Sequence, residues 1–187
     1  MRPKKEKSDT IVLIPARLGS CRLSQKVIRS INGVPLIVHV ANRIKKMKIG
    51  KVVVASGDEK ISRILDRNNI TSHITLKSHK SGSDRIYEIY ERFYKGYQII
   101  VNLQGDMPYF SSDLIKETLK LMNDNTVDIA TSAIKLAEEK RSNLNVVKVK
   151  VKMNSKEVGF AEDFFRNHSP LKDLYHHIGI YVYTSLS

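Results

Sequence analysis

Short apolar runs recur at Ile11–Ile14, Val52–Ala55 and Ile99–Leu103, interrupted only by Asn102 in the last. Runs of that length without polar alternation predict strands buried on both faces. Between them the apolar positions change to a three-to-four spacing. Leu36, Ile37, Val40, Ile44 and Met47 share one face of a helix that Pro35 starts and Gly50 stops. Asp58 is placed to cap a second helix with Ile61, Ile64 and Leu65 inward. Ser81 and Asp84 have the spacing of a capping box, opening a third helix with Ile86, Ile89, Tyr90 and Phe93 on its buried face. Ser111 or Ser112 caps a fourth, through Leu114, Ile115, Leu119 and Met122. Further strands are predicted at 72–76, 127–134, 145–153 and 177–183. The stretch NVVKVKVKM at 145–153 alternates strictly, which predicts one dry and one wet face.

Strands and helices in this alternation predict βαβ units. The expected fold is α/β, a mostly parallel Rossmann-like sheet with flanking helices. Residues 11–187 are expected to make one domain after a short, charged, disordered lead-in at 1–10. No internal repeat or low-complexity linker interrupts it. In open sheets of this kind ligands bind beyond the carboxyl ends of the strands, so the loops leaving the strands are where chemistry is expected.

Composition narrows the class. The chain has 187 residues, 41% of them hydrophobic, enough for a real core. A single cysteine, Cys21, excludes an intramolecular disulfide and fits a reducing compartment. No run reaches the roughly eighteen apolar residues of a membrane span, and the charged N-terminus lacks the apolar stretch of a secretory signal. A cytoplasmic protein without membrane association is expected. The formal net charge is +13, but its lysines are spread along the chain and no nucleic-acid motif accompanies them. A generally basic surface is expected rather than a nucleic-acid site, and an anionic small-molecule substrate would gain from its field.

Three loops stand out. The first strand is followed by Arg17, Ser20, Arg22 and Lys26, with Gly19 among them. Cations and free backbone N–H groups at a strand end suit a polyphosphate, although no Walker sequence is present. After Ile99–Leu103 come Gln104, Gly105 and Asp106, an acidic placement suited to Mg²⁺. The third, Ser81-Gly82-Ser83-Asp84-Arg85, opens a helix, whose N-terminus offers free N–H groups. Singly, each has a plainer account: a solvated basic loop, a Gly-Asp turn, ordinary capping. Capping gives no reason for Arg85.

Together and in order, these loops resemble the 3-deoxy-manno-octulosonate (Kdo) cytidylyltransferases, or CMP-Kdo synthetases, from about Ile11 to Tyr183. The family opening P-A-R-x-x-S-x-R-L-P-x-K-x-L is matched by Pro15, Ala16, Arg17, Ser20, Arg22, Leu23 and Lys26, with Ser24 for its proline and Ile28 for its leucine. The segment Ile31-Asn32-Gly33-Val34-Pro35-Leu36-Ile37 matches the pattern that follows. His79, Ser81, Gly82, Ser83, Asp84 and Arg85 match the next motif, and Asn102, Gln104, Gly105, Asp106 and Pro108 match N-V-Q-G-D-x-P. Asn145-Val146-Val147-Lys148-Val149 is similar to N-x-V-K-V, and His177, Gly179, Ile180 and Tyr181 to H-x-G-I-Y.

The resemblance implies a sheet of the nucleotide-diphospho-sugar transferase type and transfer of CMP from CTP to the anomeric hydroxyl of Kdo, with release of pyrophosphate, for lipopolysaccharide biosynthesis. Arg17, Arg22 and Lys26 would hold the triphosphate and Ser20 would take part in nucleotide binding, with Arg17, Lys26 and Asp106 carrying catalysis and Asp106 also holding Mg²⁺. Ser81 and Arg85 would lie near the nucleotide, and Gln104, His177 and Tyr181 near the sugar acid. Arg166, in a blurred form of the family's F-S-R motif with Phe165 for its serine, would bind the sugar carboxylate. The family continues past the position of Ser187 with a second magnesium-binding aspartate, sugar contacts and much of a homodimer surface. The alternatives carried forward are a truncated or decayed homologue that binds nucleotide without turnover, and a cytidylyltransferase for another acid sugar such as a sialic acid.

Overall fold

The computed structural model describes residues 9–19, 25–167 and 173–185. The predicted site residues Ser20 and Arg22, with Cys21 and nearly all of the expected lead-in, lie outside them. The strands are β1 (Thr10–Ala16), β2 (Ser30–Ile31), β3 (Val34–Pro35), β4 (Lys51–Ser56), β5 (Ser72–Ile74), β6 (Ile99–Leu103), β7 (Ile129–Lys135), β8 (Lys148–Met153), β9 (Gly159–Phe165) and β10 (Leu174–Thr184). The helices are α1 (Leu36–Met47), α2 (Glu59–Asp66), α3 (Gly82–Ile89) and α4 (Ser112–Leu121). No helix among the described residues is long and apolar enough to cross a membrane.

The chain forms two compact units: one running to Ala130 and resumed from Ile180, the other Thr131–Gly179. In the first, the sheet order is β5-β4-β1-β6 with all neighbours parallel, and Ile180–Thr184 of β10 runs antiparallel to β6. This is the expected mixed, mainly parallel α/β sheet. Every residue of β1 and β6 is buried, as their unbroken apolar runs require. Ile11, Leu13, Val53, Ala55 and Ile100 meet Ile86, Ile89 and Tyr94 in one cluster, so α3 packs on this face. Each such aliphatic side chain contributes about 1.5–3 kcal/mol on burial.

Connectivity places the functional crevice. From β1 the chain passes through α1 to β4 and through α2 to β5, moving to one side. Through α3 it returns to β6 on the other side of β1. The strand order therefore reverses between β1 and β6, and their carboxyl ends leave a gap where neighbouring loops diverge.

Several local expectations need correction. Lys48, in the left-handed conformation (φ 51°), ends α1, and not Gly50; a side chain at Gly50 would strike the Thr10 carbonyl. Past α3 the chain continues through a π-helical turn, Tyr90–Tyr94. The wider turn shifts the helical register, so Tyr94 is buried and Phe93, predicted to be inside, is 47% exposed. Pro35 stands just before α1 and pairs in the small β2–β3 hairpin, which the apolar pattern did not indicate.

In the second unit β8 pairs antiparallel with β9 and with Leu174–His176 of β10. Strand β9 was not anticipated: five of its seven residues are exposed, so it has no apolar periodicity. Lys150 and Lys152 face water as the alternation predicts, but Lys148 is 0% exposed. Its ammonium group donates to the carbonyls of Asn143 and Arg166, both at 2.7 Å. Two backbone acceptors make its burial tolerable.

Candidate active site

The gap between the ends of β1 and β6 is a cavity of about 320 Å³. It is lined by Arg17, Lys26, Ser81, Arg85, Gln104 and Asp106, six of the predicted site residues, brought together from three separate loops. Close backbone packing shapes it. A Cβ at Gly105 would lie 2.8 Å from the Pro15 carbonyl oxygen, so only glycine lets the loop after β6 approach the end of β1.

Arg17 follows the last residue of β1 and is exposed. Lys26 opens a short 3₁₀ turn whose next residue, Val27, is buried and fastens it. The Lys26 Nζ donates to Asp106 Oδ2 at 3.0 Å. This pair joins the candidate phosphate-binding cation to the candidate metal ligand.

Ser81 and Asp84 form the predicted capping box. The Ser81 hydroxyl accepts from the Asp84 N–H at 3.0 Å, and the Asp84 carboxylate accepts from the Ser81 N–H at 3.1 Å. These bonds hold the Asp84 carboxyl below its usual range. They fix the start of α3 at the cavity, with Gly82 in its wall.

Arg85 is the most enclosed cation of the cleft, at 3% exposure. Its guanidinium donates to the Thr75 hydroxyl and, at 3.2 Å, to the Leu76 carbonyl. Gly57 packs flat against it; a Cβ there would lie 2.6 Å from Nη1. Burial, and then the charge of Arg17, push its pKa down. Two cations face a common space, an arrangement that an anion relieves.

Three further predicted residues that the structure describes, Tyr181, Arg166 and His177, are not among the residues lining this cavity. Tyr181 sits on β10 opposite Asn102 of β6 and stacks on Tyr183; burial, then Tyr183, push its pKa up. Asn102 is buried, and its side-chain oxygen has no hydrogen-bond partner among the described residues. Arg166 and His177 belong to the second unit. Arg166 donates to the Asn145 carbonyl at 3.2 Å. His177 bonds the Thr131 hydroxyl at 2.9 Å and meets Phe164 edge to face. Burial, then the neighbouring His176, push its pKa down.

Pro15, Gly57, Gly82 and Gly105 shape the cleft and its Arg85 wall but were not singled out as site residues. Their signal was present: each is a small or rigid residue beside a strand end or helix start.

The cytidylyltransferase family model matches residues 11–185. A 3-deoxy-manno-octulosonate cytidylyltransferase of Bartonella henselae is 40% identical over 180 residues, which span 94% of this chain and 74% of that protein. A protein of the same name from Brucella suis is 40% identical over 183 residues, covering 93% of this chain and 72% of its own. A solved structure of CMP:2-keto-3-deoxy-manno-octonic acid synthetase complexed with CTP superposes with a TM-score of 0.84 at 28% identity. The match covers 95% of this chain and 75% of that one. The 4-diphosphocytidyl-2C-methyl-D-erythritol synthase of Anaerococcus prevotii, at 11% identity and a TM-score of 0.62, shares the fold.

Proposed function

This chain belongs to the 3-deoxy-manno-octulosonate cytidylyltransferases, within the cytidylyltransferase family, and on that premise we propose that it transfers CMP from CTP to the anomeric hydroxyl of Kdo. Pyrophosphate leaves, and the product is the activated sugar used for lipopolysaccharide. The observation that carries this reading is the convergence of Arg17, Lys26, Ser81, Arg85, Gln104 and Asp106 on one cavity at the point where the strand order reverses.

The chemistry asks little covalent work of the protein. The anomeric oxygen attacks the α-phosphorus, its proton is lost, and the bond to the pyrophosphate oxygen breaks in line. Catalysis then rests on positioning and on charge set where it develops. Arg17 and Lys26, with Arg22 assigned on its motif position, offset the triphosphate charge. Lys26 is the cation for the α-phosphate. Ser81 and Arg85 take the nucleotide, and Ser20 joins them on its motif position. Gln104, Tyr181, His177 and Arg166 take the sugar acid, with the Arg166 fork matched to its carboxylate.

Asp106 offers one carboxylate at the cavity, and no group of three or more His, Cys, Asp or Glu side chains that could hold a metal occurs among the described residues. One carboxylate completed by substrate phosphate oxygens and water is a donor set suited to Mg²⁺. Asp106 would hold the ion, which supplies further neutralisation of phosphate charge. We assign the reaction to the cytoplasm, where nucleoside triphosphates are available.

The test is pyrophosphate release by the purified protein with CTP, Mg²⁺ and either Kdo or a sialic acid. Release with Kdo well above that with the sialic acid is expected. Comparable or faster release with the sialic acid would reassign the acceptor. CTP binding by calorimetry with no release from either sugar would leave a nucleotide-binding protein without turnover.

A further inference from the structure

Outside the cavity, a cluster of polar side chains lies one helical turn further along α3. Glu88 accepts from the backbone N–H of Leu76 at 2.9 Å and pairs with His79 at 2.6 Å through the same carboxylate oxygen. Its other oxygen takes Arg92 at 2.6 Å. Burial works against this charge, but the bonds from Leu76, His79 and Arg92 outweigh it and bring the carboxyl down to about 2. An acid so heavily bonded is a fixed anion throughout the working range of a protein.

The significance lies in what residue 76 does on its other side. Its carbonyl accepts from Arg85, as does the hydroxyl of Thr75 just before it. Thr75 is itself held by two bonds to the Ser56 carbonyl, at 2.8 and 3.0 Å. Arg85 and Glu88 are thus three residues apart on one helix and hold the same residue from its C=O and its N–H. The Leu76 side chain is 62% exposed, so apolar packing contributes little to fixing it. Remove the carboxylate, and the segment bearing the acceptors of Arg85 keeps its Thr75 anchor but loses the anchor at Leu76.

We propose that Glu88 is a positioning residue for the nucleotide: by fixing the Leu76 peptide and His79, it holds the acceptors that aim the Arg85 guanidinium into the cavity. The proposal rests on the reading of that cavity as the CTP site. It assigns a function to a side chain that touches no substrate.

The experiment is a double-mutant cycle on the full chain, with CTP affinity measured by calorimetry. The single variants are Glu88→Ala and Arg85→Ala; the third protein carries both. Arg85→Ala is expected to weaken CTP at least tenfold and Glu88→Ala several-fold. In the double variant the loss from Glu88→Ala should nearly vanish, because the group it positions is gone. In turnover assays, Glu88→Ala should raise KM for CTP and leave KM for Kdo within twofold, a split that general loosening of the fold would not produce. Additive losses, or unchanged CTP affinity in Glu88→Ala, would overturn the positioning role while leaving the CTP site intact. Unchanged affinity in Arg85→Ala would overturn the site reading and the proposal together. If Glu88→Ala does not fold, Glu88→Met, which keeps much of the volume but removes both acceptor oxygens, takes its place in the same cycle with the same outcomes.

Discussion

Lys26 and Asp106, eighty residues apart in sequence, meet across the mouth of the cavity in a 3.0 Å ion pair. Both side chains are substantially exposed, so the pair contributes only about 0–1 kcal/mol to folding. In the proposed reaction the pair would hold two site groups in register until substrate arrives. Were Asp106 to hold Mg²⁺ as proposed, its carboxylate would give up the ammonium, which would then be free for phosphate. Asp106→Asn should therefore leave Tm within about 3 °C of the parent. The same change should lower kcat/KM on the order of a hundredfold or more, as lost electrostatic groups do elsewhere. A thermal scan beside a pyrophosphate-release assay reads both, and a large Tm loss would mean that the pair is mainly structural.

Gly57 provides a test of Arg85 that leaves its charge in place. The added methyl of Gly57→Ala would sit 2.6 Å from Nη1, and the guanidinium, held by Thr75 and Leu76, can yield only by leaving those acceptors. CTP affinity by calorimetry should fall about tenfold, equivalent to one misplaced charge-assisted hydrogen bond. Unchanged affinity would show that Arg85 has freedom to adjust.

Lys148 invites a different measurement. Lys148→Met keeps much of the volume but removes the ammonium bonds to the carbonyls of Asn143 and Arg166, of which Asn143 keeps the Val146 N–H at 3.1 Å. Hydrogen bonds from a charged donor are worth about 1.5–3 kcal/mol, so Tm should fall by roughly 3–12 °C. Because one of those carbonyls is that of Arg166, KM for Kdo should rise while KM for CTP stays near the parent value. Equal changes in both would point to a global effect.

The Glu88 carboxyl also makes an acid-stability prediction. Its ordinary value of 4.5 falls to about 2 in the folded chain. A depressed carboxyl contributes stability that is complete above its unfolded value and is lost as pH falls through its folded value. The gap in Tm between parent and Glu88→Gln should be constant above about pH 5 and close progressively towards pH 2. A gap that widens on acidification would contradict the assignment.

Much of the first unit was readable because burial on both faces leaves a strong mark: the strands β1, β4 and β6 are nearly unbroken apolar runs. Capping at Asp58 and Ser81 was readable because it depends on two nearby residues. What escaped depends on partners remote in sequence or on backbone atoms. Lys148 looks like a solvated lysine in an alternating strand until two carbonyls turn up against it. Phe93 has the correct spacing for a regular helix and misses the interior because of the π turn. For the site, residue pattern alone left each loop with a plain account. Only the ordered set of motifs joined them, and the Lys26–Asp106 contact could not be foreseen from either loop.

The cavity walls carry a consequence for the end of the reaction. In the proposed reaction Arg17, Lys26 and Arg85 would recognise phosphate by charge, and charge does not distinguish the triphosphate entering from the pyrophosphate leaving. Product should therefore linger where substrate must bind and compete with it, and the back reaction should run readily when pyrophosphate accumulates. Forward flux would then depend on removal of pyrophosphate by a separate hydrolase, and the direction of the reaction would be decided outside the active site.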